Sequence, residues 1–305
     1  MTKVFIDGSA GTTGLRIAGR LKERSDIELI TLPDDERKDP ERRKEAVNLA
    51  DICFLCLPDE AAKETVAMVE NPDTAVIDTS TAHRVSPDFV YGFPEITGRD
   101  RIKNSKRIAN PGCHATGFIS LIFPLVNQGI IKPDARLCCF SITGYSGGGK
   151  KMIAEYESSE RSALLGAPRQ YGLTQQHKHL KEMAAVTGLL NPPVFCPVVG
   201  DFYSGMEVTV TLNKSDFKAS LSEIKEVYKS FYTGRVVSFS DEQEEGFLSA
   251  GILSGKDGLT VSAFGNDDRI ILVSRFDNLG KGASGAAVQN MNIVMGIDET
   301  EGLVL

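Results

Sequence analysis

The stretch Lys3-Val-Phe-Ile-Asp-Gly-Ser-Ala-Gly-Thr-Thr-Gly14, continued by Leu15-Arg-Ile-Ala-Gly-Arg-Leu21, decides the fold. It reads as a strand, a glycine turn and an amphipathic helix. Glycines at such a turn let the backbone approach a pyrophosphate, whose charge is held at the helix N-terminus. The spacing is G-x-x-G-x-x-G rather than G-x-G-x-x-G, so on its own it fits a plain strand-to-helix turn equally well. Context favours a dinucleotide site. A second strand, Ile27-Glu-Leu-Ile-Thr-Leu32, follows at the length of one βαβ unit, with a third over 51–57 and a fourth over 74–78. Strands alternating with helical stretches predict an α/β chain with a Rossmann-type dinucleotide-binding domain. After the second strand, Pro33-Asp-Asp-Glu-Arg-Lys-Asp39 carries both signs of charge. Asp34 and Asp35 suit a free ribose, Arg37 and Lys38 suit a 2′-phosphate, and a solvated loop is a third reading.

Length and composition frame this core. The 305 residues, 41% of them apolar, suffice for about two domains. The chain starts a strand at once, without a charged leader and apolar segment, and no apolar run is long enough to span a bilayer, so a cytoplasmic protein is expected. Its six cysteines are then expected to be reduced. Cys53 and Cys56 form a C-x-x-C inside the apolar run Ile52-Cys-Phe-Leu-Cys-Leu57, which reads as a buried parallel strand rather than a redox pair. Cys138 and Cys139 would point to opposite faces of a strand, and no Cys/His spacing resembles a zinc site, so no metal is expected. The net charge of −7 argues against nucleic acid or an anionic membrane as partner.

The second informative stretch is Arg107-Ile-Ala-Asn-Pro-Gly-Cys-His-Ala-Thr-Gly-Phe-Ile-Ser-Leu-Ile-Phe-Pro124. It predicts a short strand, a Pro-Gly turn and a largely buried helix that opens on Cys113. The unpaired N–H groups and positive dipole end of a helix stabilise a thiolate, so the pKa of this thiol is expected to fall. A buried structural cysteine is the alternative, but the turn, the helix start and a partner histidine later in the chain favour a nucleophile.

Other candidates lie around these two stretches. Asp78-Thr-Ser-Thr-Ala-His-Arg84 follows the fourth strand, where Ser80 and Arg84 would hold a phosphate unless Arg84 makes a structural ion pair; His83 reads as incidental. Gly144-Tyr-Ser-Gly-Gly-Gly-Lys150 reads as a loop that wraps a cofactor or phosphate, with Lys150 as charge partner, or as a flexible connection. Tyr171-Gly-Leu-Thr-Gln-Gln-His-Lys-His179 supplies two histidines at i and i+2, which share a face if extended but not in a helix. From Phe195 onward the pattern is α+β, with an alternating strand at 206–212, a helix over 216–232 capped by Ser215, and strands near 236–240, 259–264 and 269–276. That predicts a mixed or antiparallel sheet with helices on one face, suited to binding substrate and to dimerisation. The stretch 277–296 is a glycine-rich turn that enters a helix of small residues.

On these motifs the chain resembles the short-chain N-acetyl-γ-glutamyl-phosphate reductase family of arginine biosynthesis, within the wider semialdehyde dehydrogenase group. The resemblance runs nearly end to end. It is carried by residues 8–14, 108–117, 171–179 and 278–282 with the helix after them. It implies an oxidoreductase that uses NADPH to reduce N-acetyl-L-glutamyl 5-phosphate to N-acetyl-L-glutamate 5-semialdehyde, releasing phosphate. It makes Cys113 the nucleophile that carries a thioester and His177 the acid/base, with Ser80, Arg84, Lys150 and His179 near the substrate. Gly8, Gly11, Thr12 and Gly14 would bind NADP pyrophosphate, while Ser146, Gly147, Gly148, Asn278 and Gly280 would flank the nicotinamide. The NADP-binding domain is expected over 1–112 plus 281–305 and the catalytic, dimerising domain over 113–280, in a homo-oligomer, a dimer or tetramer. His114 departs from the longer members, which commonly carry an aromatic residue there. The rival readings are a related acyl-phosphate reductase, acting on an aspartyl or carrier-bound aminoadipyl phosphate, and a non-catalytic dinucleotide sensor.

Overall fold

The computed structural model describes residues 1–305. The chain divides into two compact units, Met1–Pro111 with Ala283–Leu303, and Gly112–Gly282 with Val304–Leu305.

The first unit carries strands β1 (Thr2–Asp7), β2 (Ile27–Ile30), β3 (Ile52–Leu55), β4 (Ala75–Asp78), β5 (Val90–Tyr91) and β6 (Arg107–Ala109). They form one sheet in the order β2-β1-β3-β4-β6-β5, every pair parallel. Val4 and Ile6 of β1 pack with Ile17 and Leu21 of the helix Thr12–Lys22 and with Val288 and Met291 of the helix Gly285–Met295. Phe5, between them, packs on the other face with Ala46 and Val47 of Pro40–Leu49 and Ala62 of Asp59–Met68. Strands covered on both faces must be apolar at successive positions, which is why these strands show no polar alternation. The strand order reverses between β1 and β3, so the glycine turn after β1 opens at the switch point, where open α/β sheets bind ligands.

The second unit carries β7 (Cys138–Gly144), β8 (Arg169–Gln170), β9 (Val194–Gly200), β10 (Met206–Asn213), β11 (Val237–Phe239), β12 (Leu259–Gly265) and β13 (Arg269–Phe276). The sheet, ordered β11-β12-β13-β10-β7-β9-β8, is mixed: β7 with β9 and β11 with β12 are parallel, the other pairs antiparallel. The helix Cys113–Asn127 packs on β10 and β13 and is buried along most of its length. A Cβ at its Gly117 would come within 2.3 Å of Val208 Cγ2, so the helix can lie this close only with glycine there. Pro124, inside the helix, has no N–H for the Ser120 carbonyl. The Tyr232 hydroxyl donates to that carbonyl instead at 2.7 Å, and Tyr228 donates to the next one, Leu121 O, at 2.7 Å. Cys138 is exposed and Cys139 buried, as the period of a strand requires. On the exposed face of the same sheet Phe140, Val194 and Ile271 are open to solvent.

Two local expectations are corrected. The helix expected from Asp216 begins at Leu221, because Ser220 and not Ser215 is its cap. Ser220 Oγ accepts from Glu223 N at 3.2 Å and Glu223 Oε2 from Ser220 N at 2.7 Å, a capping box that satisfies two N–H groups at once. The expected loop over 144–150 is the end of β7, one 3₁₀ turn, Tyr145–Gly148, and the start of the helix Gly149–Glu157. No helix is long and apolar enough to cross a membrane.

Candidate active site

In the second unit Cys113 is the first residue of its helix, and no side chain caps that end. The N–H of Gly112, just before it, donates to Oε1 of the buried Glu182 at 2.8 Å, so a carboxylate from the helix His179–Thr187 fixes the turn that presents the thiol. Gly282 flanks the thiol, since a Cβ there would lie 3.0 Å from Cys113 Cβ.

Four rings gather, one of them on His114, the residue after the cysteine. His177 and His179 have ring centroids 4.7 Å apart, His114 lies 5.7 Å from His177 and 5.6 Å from His179, and Phe195 packs 5.2 Å from His114 and 5.1 Å from His177. His177 precedes the helix and His179 is its first residue, which lets both rings join one cluster. Nδ1 of His177 accepts from the His179 backbone N–H at 3.3 Å. With Nδ1 an acceptor, the neutral ring carries its proton on Nε2. His114 is buried, and Ser141 Oγ lies 2.7 Å from its Nδ1 and the Tyr171 hydroxyl 2.6 Å from its Nε2. Burial, with the charge of His177 as a lesser cause, lowers His114 from an ordinary 6.5 to about 3, so the ring is neutral. Burial also raises the Tyr171 phenol, helped by charge on Cys113. Cys53 and Cys56 of the first unit are likewise pushed up by burial, Cys56 to about 12, which suits inert core thiols.

The remaining candidates of this unit also find places. Asn278 Nδ2 donates to Ser146 Oγ at 3.0 Å and its Oδ1 accepts from Gly205 N at 3.0 Å, so two sequence candidates are joined directly. Gly147 has room for a Cβ, its nearest neighbour being Asn278 Nδ2 at 3.4 Å, but Gly148 would meet Met152 Sδ at 2.5 Å and Gly280 the Lys256 carbonyl at 2.0 Å. These last two are therefore required by the protein's own packing. Lys150 is exposed in the first turn of its helix.

In the first unit the glycines divide the work. Gly8 has φ +86°, and a Cβ there would lie 2.3 Å from the Cys56 carbonyl; a Cβ at Gly14 would lie 2.5 Å from Gly8 O. Gly11 meets nothing closer than 3.4 Å, and as the N-cap of Thr12–Lys22 it offers no side-chain cap. The first serves the tight turn, the last the close packing of helix on turn, and Gly11 leaves the helix end open to an anion. Thr12 Oγ1 is buried there without a hydrogen-bond partner. A cavity of about 620 Å³ adjoins this turn, lined by Gly8, Ser9 and Ala10 and, beyond β2, by Asp34, Arg37, Lys38 and Arg43. An orphaned hydroxyl, an uncapped helix and a basic-lined cavity fit a dinucleotide phosphate group. Arg43 is itself held, Nε and Nη2 donating to the buried Asp7 Oδ2 at 3.1 and 2.9 Å, with Thr65 Oγ1 donating to the same oxygen at 2.8 Å.

Ser80 and Arg84 belong to this first unit. Ser80 Oγ donates to Asp78 Oδ2 at 2.8 Å, and the His83 ring, 2.7 Å from the same oxygen through Nδ1, stacks on Phe89. Arg84 Nε and Nη2 donate to the main-chain carbonyls of Asn110 and Thr79, each at 3.0 Å. Ser141, Glu182, Phe195 and Tyr171 are not legible as site residues in the sequence: Tyr171 opens the 171–179 stretch, and nothing in the spacing of the others marks them.

Residues 3–105 match the family described as semialdehyde dehydrogenase, NAD binding domain, and residues 113–278 match semialdehyde dehydrogenase, dimerisation domain. The chain is 43% identical over 318 aligned residues, 99% of each chain, to N-acetyl-γ-glutamyl-phosphate reductase 2 of a Nostoc species. It is 44% identical over 306 to the N-acetyl-γ-glutamyl-phosphate reductase of Brucella suis, covering 96% of this chain and 99% of that one. The chain belongs to the semialdehyde dehydrogenase family. Other semialdehyde dehydrogenases share its fold at far lower identity. Aspartate semialdehyde dehydrogenase II from Vibrio cholerae superposes with a TM-score of 0.72 at 17% identity over 97% of this chain and 98% of that one. The aspartate semialdehyde dehydrogenase of Francisella tularensis does so at 0.70 and 15%, over 97% and 100%.

Proposed function

We propose that this semialdehyde dehydrogenase reduces N-acetyl-L-glutamyl 5-phosphate to N-acetyl-L-glutamate 5-semialdehyde, with NADPH as reductant and phosphate as leaving group, in arginine biosynthesis. The observation that carries this reading is a cysteine at an uncapped helix N-terminus, followed by a histidine whose ring meets a histidine pair, in a chain end-to-end similar to reductases of that name. In the mechanism, the helix end stabilises the Cys113 thiolate, which attacks the acyl carbon; the C–S bond forms, phosphate leaves and a thioester remains on Cys113. A nicotinamide dinucleotide, its phosphates held at Gly8 to Gly14, would supply the hydride that the thioester carbon takes up. His177, with Nε2 bearing the proton, gives it to the resulting alkoxide and takes it back as the thiolate departs with release of the semialdehyde. The Cys113 N–H and the neighbouring helix end are donors for the oxyanion. Lys150 and His179 remain candidates for the substrate's anionic groups, as do Ser80 and Arg84 once the main-chain bonds of Arg84 are counted.

Arg37 and Lys38 favour NADP over NAD. Both line the cavity, where Arg37 Nη2 lies 2.9 Å from Asp34 Oδ1 and the other acidic residue of the lining, Asp7, is paired with Arg43, so both carboxylates are already neutralised. A 2′-phosphate can displace that exposed carboxylate and take the guanidinium in its place. The exposed apolar face of the second sheet suits a homo-oligomer, and a biosynthetic reductase of this kind fits the cytoplasm.

The test is reduction of NADP by purified protein given N-acetylglutamate 5-semialdehyde, with and without phosphate, repeated with aspartate semialdehyde. Phosphate-dependent reduction with the acetylated substrate alone is the expected result. Reduction with neither substrate would overturn the reading.

A further inference from the structure

Ser141, His114 and Tyr171 form a hydrogen-bonded chain whose end groups have no other side-chain partner. Ser141 Oγ bonds only His114 Nδ1, and the Tyr171 hydroxyl bonds only His114 Nε2. A neutral imidazole carries one proton, so two arrangements exist. In one, Ser141 donates to Nδ1, Nε2–H donates to the tyrosine oxygen, and the tyrosine keeps a free O–H. In the other, Tyr171 donates to Nε2, Nδ1–H donates to Ser141, and the serine proton is left over. Ser141 is wholly buried, so its spare proton would have no acceptor, whereas Tyr171 is only partly buried and can aim its proton outward. An unmade hydrogen bond is costliest where water cannot reach it, so the first arrangement prevails. The hydroxyl so freed belongs to a residue bonded to the neighbour of Cys113, and charge on that sulfur bears on the phenol.

We propose that Tyr171 is a catalytic residue that donates its free O–H to the acyl oxygen of the group on Cys113, and that His114 and Ser141 are positioning residues that keep this proton available. The inference rests on the reaction proposed above. As the thiolate attacks, the new C–S bond forms and the carbonyl π pair moves onto oxygen, where the tyrosine hydrogen bond strengthens. The pair then returns, the carbon–oxygen bond to phosphate breaks, and phosphate leaves with its electrons. Tyr171 keeps its proton throughout, consistent with a phenol whose pKa is raised.

The experiment compares wild type, Tyr171→Phe, Ser141→Ala and the double variant in phosphate-dependent NADP reduction by N-acetylglutamate 5-semialdehyde, alongside alkylation of Cys113 by iodoacetamide. Alkylation displaces iodide from carbon and forms no oxyanion. Tyr171→Phe is expected to lower kcat and kcat/KM alike, by about 100-fold, with alkylation at the wild-type rate. Ser141→Ala is expected to lose less, and nothing further when Tyr171 is already Phe, since it acts through that hydroxyl. Full kcat in Tyr171→Phe, an equal loss of alkylation, or a Ser141→Ala effect that persists undiminished in the double variant would each overturn the inference alone. A wild-type protein inactive on the acetylated semialdehyde would overturn the functional reading and this one with it.

Discussion

The proposed anion cradle of the first unit takes its parts from consecutive residues, Gly8 to Gly14, whereas the polar cluster of the second draws on residues 112–114, 141, 171–182 and 195. The cradle works through backbone: a glycine that permits the turn, one that leaves a helix end open, one that lets helix and turn touch. The cluster works through side chains that meet only because β7, β9 and two helices bring them together. Local backbone geometry is written in contiguous sequence, while a convergent set of side chains depends on the packing of distant elements. Substitutions in the two regions should therefore fail differently, in cofactor binding or folding for the first and in the chemical step for the second.

The largest effect expected is at Cys113. Cys113→Ser should leave folding and NADP binding intact and cut turnover by at least about 10³-fold, roughly 4 kcal/mol in the barrier, because a hydroxyl is far less ionised than a thiol. Substantial residual activity in purified variant protein would remove the nucleophile assignment. Next, His177→Asn should cost about 10²-fold or more in kcat, and His179→Asn distinctly less. Equal losses would mean that the acid/base role is shared or misassigned.

The comparison sharpens within the cradle. Gly8→Ala must carry a side chain at φ +86° and 2.3 Å from the Cys56 carbonyl, and is expected to lower stability by about 3 kcal/mol, read as a drop in Tm. Gly11→Ala, with its nearest contact at 3.4 Å, should leave Tm nearly unchanged while weakening NADP. If both variants lost Tm equally, the division of work among the glycines would be wrong.

A smaller effect follows from His114. Its folded pKa of about 3 lies below the ordinary 6.5, so between these values the unfolded chain binds a proton that the native chain does not. The stability it contributes is therefore fully present above pH 6.5 and is lost as pH falls toward about 3, by roughly 1.4 kcal/mol per pH unit at most. Melting curves from pH 7 to 4 should show this slope flattened in His114→Phe, and an unchanged slope would exclude His114 as its source. The smallest effect expected is at the cavity rim, where Arg37→Ala with Lys38→Ala should weaken NADP by about 1 to 2 kcal/mol and NAD hardly at all, measured by titration.

The sequence by itself determined the doubly wound unit, the strand-turn-helix at Gly8 to Gly14 and the helix that opens on Cys113. These rest on short-range rules, in which apolar runs, glycines and a Pro-Gly turn restrict the backbone wherever the rest of the chain lies. Local rules also compete: Ser215 precedes a helical pattern, but Ser220 and Glu223 carry the reciprocal capping pair that starts the helix. Only the tertiary structure decided which polar groups meet. Ser141 faces the Cys113 helix because β7 alternates and that face of the sheet is covered. Glu182 reaches Gly112 because its helix docks beside the turn. Arg84 is occupied by the carbonyls of Thr79 and Asn110, which no spacing foretells. Hydrogen bonds of about 3 Å depend on the placement of segments scores of residues apart, and that placement is fixed by packing of the whole core rather than by any stretch within it.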